Sequence, residues 1–257
     1  MNKYLAFAKV AIKEQLSKLI DEVGTIFSFC IHIVIFSFLW DFVLAGKTMA
    51  GYSKQELVWY VIIAEAIMYS FHYYYRKVAR KVEMGDFAYD MTKPFNFLIR
   101  IIVEGLSELP MTIVLIIVGA ILGTIFVGLI PISALQIIAS MVIILMATML
   151  LLMVNIIVGL LSIWLGRDVS SVWLLCGKAM LIFAFTPIEL FPKVAQNIML
   201  LLPTTHVVYT PSSLFVHFST HKLITSSIYI VVSFLLFTII LWVIYKKGVK
   251  KQNVNGI

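Results

Sequence analysis

The chain has 257 residues, of which 61% are hydrophobic and only 13% are charged. Soluble domains carry about 45–50% apolar and about 25% charged residues, so this composition excludes a water-soluble globule and a disordered chain. The formal net charge of +7 does not indicate nucleic-acid binding, because the basic residues collect at the edges of apolar runs. The composition therefore predicts an all-α integral membrane protein that hides its apolar surface in lipid.

The N-terminal segment, residues 1–22, predicts an amphipathic helix. At about 100° per residue its apolar side chains fall on one arc, opposite Lys13, Glu14, Ser17 and Asp21. Such a helix suits the membrane interface, with its lysines reaching the headgroups. An ordinary cytosolic helix is the alternative.

Six apolar stretches predict six membrane-spanning helices within one transmembrane domain that covers residues 1–257. Their approximate bounds are 24–44, 57–75, 97–127, 134–165, 169–186 and 223–245. No charge occurs between Glu108 and Arg167, a stretch far longer than the roughly 20 residues of one span. Gly128 and Pro131 predict a turn within it, and a second turn is expected at 166–168.

The segment 187–222 lies between the last two predicted spans and holds four of the seven prolines. It is too apolar for a free loop and too broken for a spanning helix. Because broken backbone at membrane depth needs protein or water around it, short re-entrant helices are expected here.

The basic residues predict the orientation of the chain. Six spans place both termini on one side, where 15 Lys and Arg residues fall, against 4 on the other side. Since cytoplasmic loops carry the excess of Lys and Arg, both termini are predicted to be cytoplasmic.

No phosphate-binding loop, zinc-protease motif or nucleophile elbow occurs in the sequence, so we expect no enzymatic site and no cofactor bound by this chain. The largest cytosolic feature is the loop 76–96. It enters with basic residues and continues as a short amphipathic piece around Glu83 to Tyr89, with a turn at Gly85 and an end at Pro94. This piece could plug into a cytosolic partner; a solvated topogenic loop is the alternative.

Three stretches carry a family resemblance: 84–94 (MGDFAYDMTKP), 186–192 (TPIELFP) and 202–211 (LPTTHVVYTP). With the overall plan of the chain, they resemble the permease subunit of an ABC-2 type ATP-binding-cassette exporter. Within that family, the chain resembles the short six-span permeases, which have an interfacial elbow helix, a coupling helix after the second span and no external domain.

The resemblance implies a plasma-membrane exporter of an amphipathic compound such as a drug, an antimicrobial peptide or a lipid-like molecule. It implies a second permease copy or a sister permease, and two copies of a cytosolic ATPase that would bind ATP and Mg²⁺; a nucleic-acid partner is not expected. The residues that would couple to the ATPase are Glu83, Met84, Gly85, Asp86 and Phe87.

Polar residues inside the predicted spans are candidates for substrate contact or gating, or for structural pairs. They are Glu65, Glu104, Glu108, Asn155 and Lys178. A charge at mid-bilayer costs about 2.5–3.5 kcal/mol, so each should face protein or a cavity, and we predict a pair between Lys178 and Glu104 or Glu108.

Two alternative functions remain open from the residues. An ion-coupled secondary transporter would use the three glutamates as coupling groups, but the halves of the chain show no convincing internal repeat. A membrane-integral enzyme would need a clustered catalytic constellation, which is not visible. Gly119 and Gly123 predict close helix packing, either within the subunit or across a dimer.

Overall fold

The computed structural model describes residues 2–17, 19–71, 73–165 and 169–254. The fold is 83% helical, and the described residues contain no β-strand. In chain order the helices of this described part are α1 (Asn2–Ser17), α2 (Leu19–Leu44), α3 (Lys54–Tyr69), α4 (Tyr74–Glu83), α5 (Asp86–Met91), α6 (Phe97–Leu106), α7 (Leu109–Val127), α8 (Ala134–Leu160), α9 (Ser162–Leu165), α10 (Val169–Phe185), α11 (Lys193–Leu200), α12 (Thr205–Val216) and α13 (Thr220–Val254), with a short 3-10 helix at Ile188–Leu190 before α11.

Among the described residues, four helical stretches are long and apolar enough to cross a membrane, which supports a multi-pass membrane protein. They are Glu22–Leu44, Phe97–Val127, Ala134–Leu165 and Thr220–Lys251, matching the first, third, fourth and sixth predicted spans. The second and fifth predicted spans correspond to α3 and α10, which have 16 and 17 residues. At 1.5 Å per residue these two helices are about 24–26 Å long, slightly short of a hydrocarbon core of about 30 Å. Six spans therefore stay a prediction.

Several predicted boundaries are wrong. The second span was expected to continue to Tyr75, but α3 ends at Tyr69, and Tyr73 takes a left-handed conformation with φ of 60° before α4 begins. The third predicted span keeps its bounds but has a break that was not predicted, because α7 restarts after Glu108 with Pro110, which lacks an N–H donor, in its first turn. The last helix extends well beyond its predicted end. The predicted turn at 166–168 lies outside the described residues, as do many of the α1 side chains on which its amphipathic arc depends.

Helix α3 forms the centre of the bundle. Every residue from Leu57 to Ile67 is buried, and α3 contacts α2, α7, α10 and α12. Gly119 and Gly123 of α7 face it: a Cβ atom at these positions would lie 2.5 and 2.7 Å from the side chain of Ile62. The glycine pair therefore serves close packing within the subunit, one of the two readings left open by the sequence.

Helix α12 is buried along its whole length against α3, α8, α10 and α13. The side-chain amide of Gln136 donates to the carbonyl oxygen of Phe215 at 2.6 Å, which ties the end of α12 to the start of α8. Near its beginning, the ring of His206 stacks on Tyr229 with centroids 4.5 Å apart. Since Tyr229 lies about 13 Å along α13 from Thr220, α12 starts deep in the bundle and rises towards the beginning of α13.

The two ends of the bundle differ in chemistry. One end, which we call the basic end, carries α1, α4, α5, α9 and the C-terminal part of α13. The other, which we call the opposite end, carries the loop 45–53, the turn 128–133 and the first turn of α13. Contacts of Lys251 with the carbonyl of Ile163, and of Tyr245 with Phe87, join the last helix to the basic end.

Candidate functional site

A network of ion pairs joins α4 to α6 and α7 at the basic end. Lys77 pairs with Glu108 and Lys81 pairs with Glu104, each at 2.5 Å. Arg100 adds a contact of 2.7 Å from Nε to the other oxygen of Glu104. The two lysines are spaced i, i+4 on α4. The two glutamates are also four residues apart, across the junction of α6 and α7, so each lysine meets one glutamate.

The predicted pair between Lys178 and Glu104 or Glu108 is therefore wrong. Both carboxylates already bind cations of α4, and Lys178 lies exposed on α10, turned away from the buried side chain of Met180. The error has a physical cause: helix α4 folds back beside α6 after the break at Tyr73, which brings the basic residues of the loop next to these carboxylates. Glu104 and Glu108 thus fasten α4 to the body of the bundle.

Asn155 connects α8 to the beginning of α4. Its side-chain oxygen accepts a hydrogen bond from the backbone N–H of Tyr75 at 3.1 Å, and its amide group donates to the carbonyl of Leu151 at 3.0 Å. The first N–H groups of a helix have no partner within that helix, and here they are buried. Asn155 supplies the missing acceptor, so its position is explained by the structure of α4.

Glu65 sits in a buried polar cluster between α2 and α3. One carboxylate oxygen lies 3.0 Å from Nδ1 of His32, and the hydroxyl of Tyr69 lies 3.1 Å from the same nitrogen. The other oxygen of Glu65 is buried and has no hydrogen-bond partner among the described residues. His32 is partly exposed and its ring meets Phe185 of α10 edge-on, with centroids 6.3 Å apart, so the cluster borders α10 and is partly accessible. Neither histidine nor tyrosine was singled out from the sequence as a partner of Glu65.

The loop 76–96 folds as two helices separated by a sharp turn. The predicted turn at Gly85 is confirmed by its φ of +83°, a conformation that glycine adopts without strain. The predicted single amphipathic piece from Glu83 to Tyr89 is wrong, because α4 continues through Glu83 and α5 begins only at Asp86. The two helices therefore meet at a corner, which consists of residues 83–86.

The residues of this corner divide into an exposed group and a buried group. Glu83, Met84, Gly85 and Asp86 are exposed, with 70% of Met84 accessible. Phe87 is fully buried against Phe97 and Tyr245, at centroid distances of 4.9 and 6.1 Å. Phe87 thus anchors α5 and leaves its neighbours to form the surface.

An ion pair provides a second anchor for α5. The buried carboxylate of Asp90 pairs with Arg100 at 2.5 Å, and the same guanidinium binds Glu104. Helix α5 is thereby connected to α6 through a charge network as well as through aromatic packing. Sequence reasoning missed Asp90 and Arg100, although both flank the corner that it identified.

At the opposite end, α12 is fastened to the start of α3. Glu56 forms a capping box with Ser53 and lies 3.3 Å from Nε2 of His217, whose ring packs on Tyr52 at 4.3 Å. Burial raises the pKa of the Tyr52 phenol well above its usual value, and the charge of Glu189 raises it further. The phenol therefore stays neutral. Lys54 and Asp41 form a further ion pair at this end, at 2.7 Å.

Comparison with known proteins agrees with this architecture. A family model described as "ABC-2 family transporter protein" matches residues 25–256, which is nearly the whole chain. No curated protein matches the chain significantly. Permeases of this family generally work with a cytosolic ABC ATPase. The resemblance inferred from the sequence is thus confirmed, and the chain belongs to the ABC-2 transporter family as a membrane permease component of an ABC transporter.

Proposed function

We propose that the chain is the permease subunit of an ATP-driven exporter whose exposed corner at 83–86 engages a cytosolic ATPase. The observation that carries this proposal is the construction of the corner: two helices meet at a left-handed glycine, and α5 is anchored from behind by Phe87 and Asp90. A rigid, exposed corner in a family of ABC permeases is suited to transmit a movement. Two ATPase subunits would bind ATP and Mg²⁺; the permease itself would bind neither.

The proposed topology has six spans, with α3 and α10 as the second and fifth. The basic end then faces the cytosol and both termini are cytoplasmic, in the plasma membrane. The excess of Lys and Arg at this end supports the orientation, since positive residues are retained on the cytoplasmic side. In this arrangement α1 is the interfacial elbow helix, α5 is the coupling helix, and α11 and α12 re-enter from the outer side.

Coupling would proceed from the corner into the bundle. ATP binding closes the two ATPase subunits, and the movement reaches Glu83, Met84 and Asp86. The ion pairs of Arg100 with Asp90 and Glu104 pass it to α6, while the packing of α4 on α8 passes it to the long spans. ATP can shift the assembled transporter between its inward- and outward-facing states only because it binds these two states with different affinity.

Among the intramembrane candidates, we assign cargo contact or gating to Glu65 and Lys178. Glu65 holds a buried oxygen without a described partner beside the partly exposed His32, and Lys178 is an exposed cation on a membrane helix. A charge in lipid is costly, so Lys178 should meet the second permease copy, a sister permease or the cargo. The cargo is amphipathic, a drug, peptide or lipid-like compound that suits apolar spans with few polar contacts.

The test is co-purification from native membranes in mild detergent, followed by an ATPase assay. We expect a cytosolic ABC ATPase to accompany the wild-type chain. Asp86→Lys should release or uncouple it, whereas Asp41→Lys, an equal charge reversal on an exposed residue of the opposite end, should not. An active transporter that carries no nucleotide-binding partner would overturn the proposal and favour ion-coupled transport through Glu65.

A further inference from the structure

A cleft of about 690 Å³ lies at the basic end between α1, α4 and α6. One wall is apolar and comes from α1, where Val10 is 66% exposed beside Phe7. The other wall is basic and comes from α4 and α6. The cleft therefore brings an apolar surface and a cationic surface together at the level where the spans begin.

The basic wall holds two arginines that the ion pairs of the described part of the fold do not use. Its five cations face three carboxylates, those of Glu14, Asp86 and Glu104. Two of the cations, Lys81 and Arg100, are bound to Glu104. Two carboxylates outside the lining, Asp90 and Glu108, bind Arg100 and Lys77. Arg76 and Arg80 are the two that remain.

These two arginines are placed to act together. Arg76 stacks over the ring of Tyr73 at 4.2 Å and donates from Nε to the hydroxyl of Tyr75 at 3.1 Å, which orients its guanidinium. Arg80 makes no side-chain hydrogen bond or ion pair within the part of the chain that the structure describes. Because the two arginines are spaced i, i+4, their Cβ atoms lie about 5–6 Å apart on one face of α4.

We propose that this cleft binds the phosphate headgroup of an anionic phospholipid. Arg76 and Arg80 hold the phosphate, since guanidinium groups match phosphate oxygens in a bidentate manner. The apolar wall, formed by the exposed Val10 and the half-buried Phe7, takes the beginning of an acyl chain. A free phosphate compound would leave this wall uncovered. The proposal goes beyond ATP-driven export and needs only that the basic end lies at a membrane surface, where anionic lipids attract basic segments.

The experiment is native mass spectrometry of the full-length chain, with its co-purifying partners, released from nanodiscs of phosphatidylcholine mixed with phosphatidylglycerol. We expect phosphatidylglycerol to be retained in preference to phosphatidylcholine. If each basic residue contributes as surface basic residues near anionic lipid do, Arg76→Gln or Arg80→Gln weakens retention about fivefold and the double variant about thirtyfold. The matched control is Lys247→Gln with Lys250→Gln, which removes the same charge from the exposed end of α13.

Each remaining outcome identifies another explanation. Equal loss in the α13 control would mean that charge alone attracts the lipid, and unchanged retention in the arginine double variant would mean that no site exists here; both overturn the proposal. Displacement of the lipid by soluble glycerol phosphate at comparable concentration would identify a free phosphate site instead. Loss of the ATPase partner with lipid retention unchanged would identify a protein-docking surface.

A second variant guards against misfolding. Val10→Asp leaves both arginines in place but puts a carboxylate on the apolar wall, so it should also lower phosphatidylglycerol retention. Size-exclusion profiles of all variants must match the wild type for the comparison to count. Unchanged lipid retention in Val10→Asp would contradict the acyl-chain part of the proposal.

Discussion

Replacing Asn155 with leucine is expected to destabilise the permease by breaking the connection between α8 and α4. Leucine has nearly the same shape as asparagine, so packing within α8 is kept, but the backbone N–H of Tyr75 loses its acceptor. That N–H is buried in an apolar surrounding. A buried donor without a partner costs about 1–3 kcal/mol, and we expect the free energy of unfolding to fall by this amount.

A control substitution on α8, Thr148→Val, distinguishes the loss of the hydrogen bond to Tyr75 from the general effect of removing a buried polar side chain. Thr148 is as buried as Asn155, but its hydroxyl donates only to the carbonyl of Ile144 within α8. Thr148→Val removes the donor and leaves a carbonyl that still accepts its helical N–H, so the free energy of unfolding should change by less than about 1 kcal/mol.

Both variants can be compared by equilibrium unfolding in mixed micelles of dodecyl maltoside and sodium dodecyl sulfate, followed by circular dichroism. Wild-type protein purified in parallel supplies the reference midpoint and slope. If Asn155→Leu unfolds at the same detergent fraction as Thr148→Val, the hydrogen bond to Tyr75 does not hold α4, and the reasoning is refuted.

Three further predictions use the same structure. Lys77→Glu should lower the free energy of unfolding by about 1–3 kcal/mol. Adding Glu108→Lys should restore a large part of this loss in a double-mutant cycle. Additive losses would show that Lys77 and Glu108 do not interact. Gly159→Ala should lower the free energy of unfolding by about 1–3 kcal/mol, because the new Cβ would lie 2.5 Å from Cβ of Val78. In the control Gly24→Ala the new Cβ meets no atom within 4 Å, so stability should be unchanged or raised. Equal changes in stability for the two variants would refute this reasoning. Glu65→Gln should lower transport at matched expression, and unchanged transport would remove Glu65 from gating.

The sequence was sufficient for most helices but not for the break between α3 and α4. Composition and charge placed the long spans, and Gly85 predicted the corner, because only glycine takes its backbone conformation without strain. The aromatic run 69–75 contains neither glycine nor proline, so it gives no signal of a break. The left-handed residue at Tyr73 is stabilised by contacts that exist only in the folded bundle, above all Asn155 on Tyr75.

The partners of the charged residues were predictable only in part. Lys77 and Lys81 share the spacing of Glu104 and Glu108, so their match could have been read from the sequence once α4 was known to be a helix. Lys178 was assigned to these glutamates because charges in spans need partners, but the rotation of α10 about its axis turns it outward. Such rotation depends on packing between distant segments, which no local pattern encodes.

The most direct test of the central claim is photo-crosslinking from the corner in native membranes. Benzoylphenylalanine placed at Met84 or Asp86, both exposed, should crosslink a cytosolic ABC ATPase, and the same group at the exposed Val194 of α11 should not. We expect crosslinks from the corner alone, strongest when ATP hydrolysis is blocked. Crosslinks to the ATPase from Val194, or none from the corner in an assembled and active transporter, would contradict it.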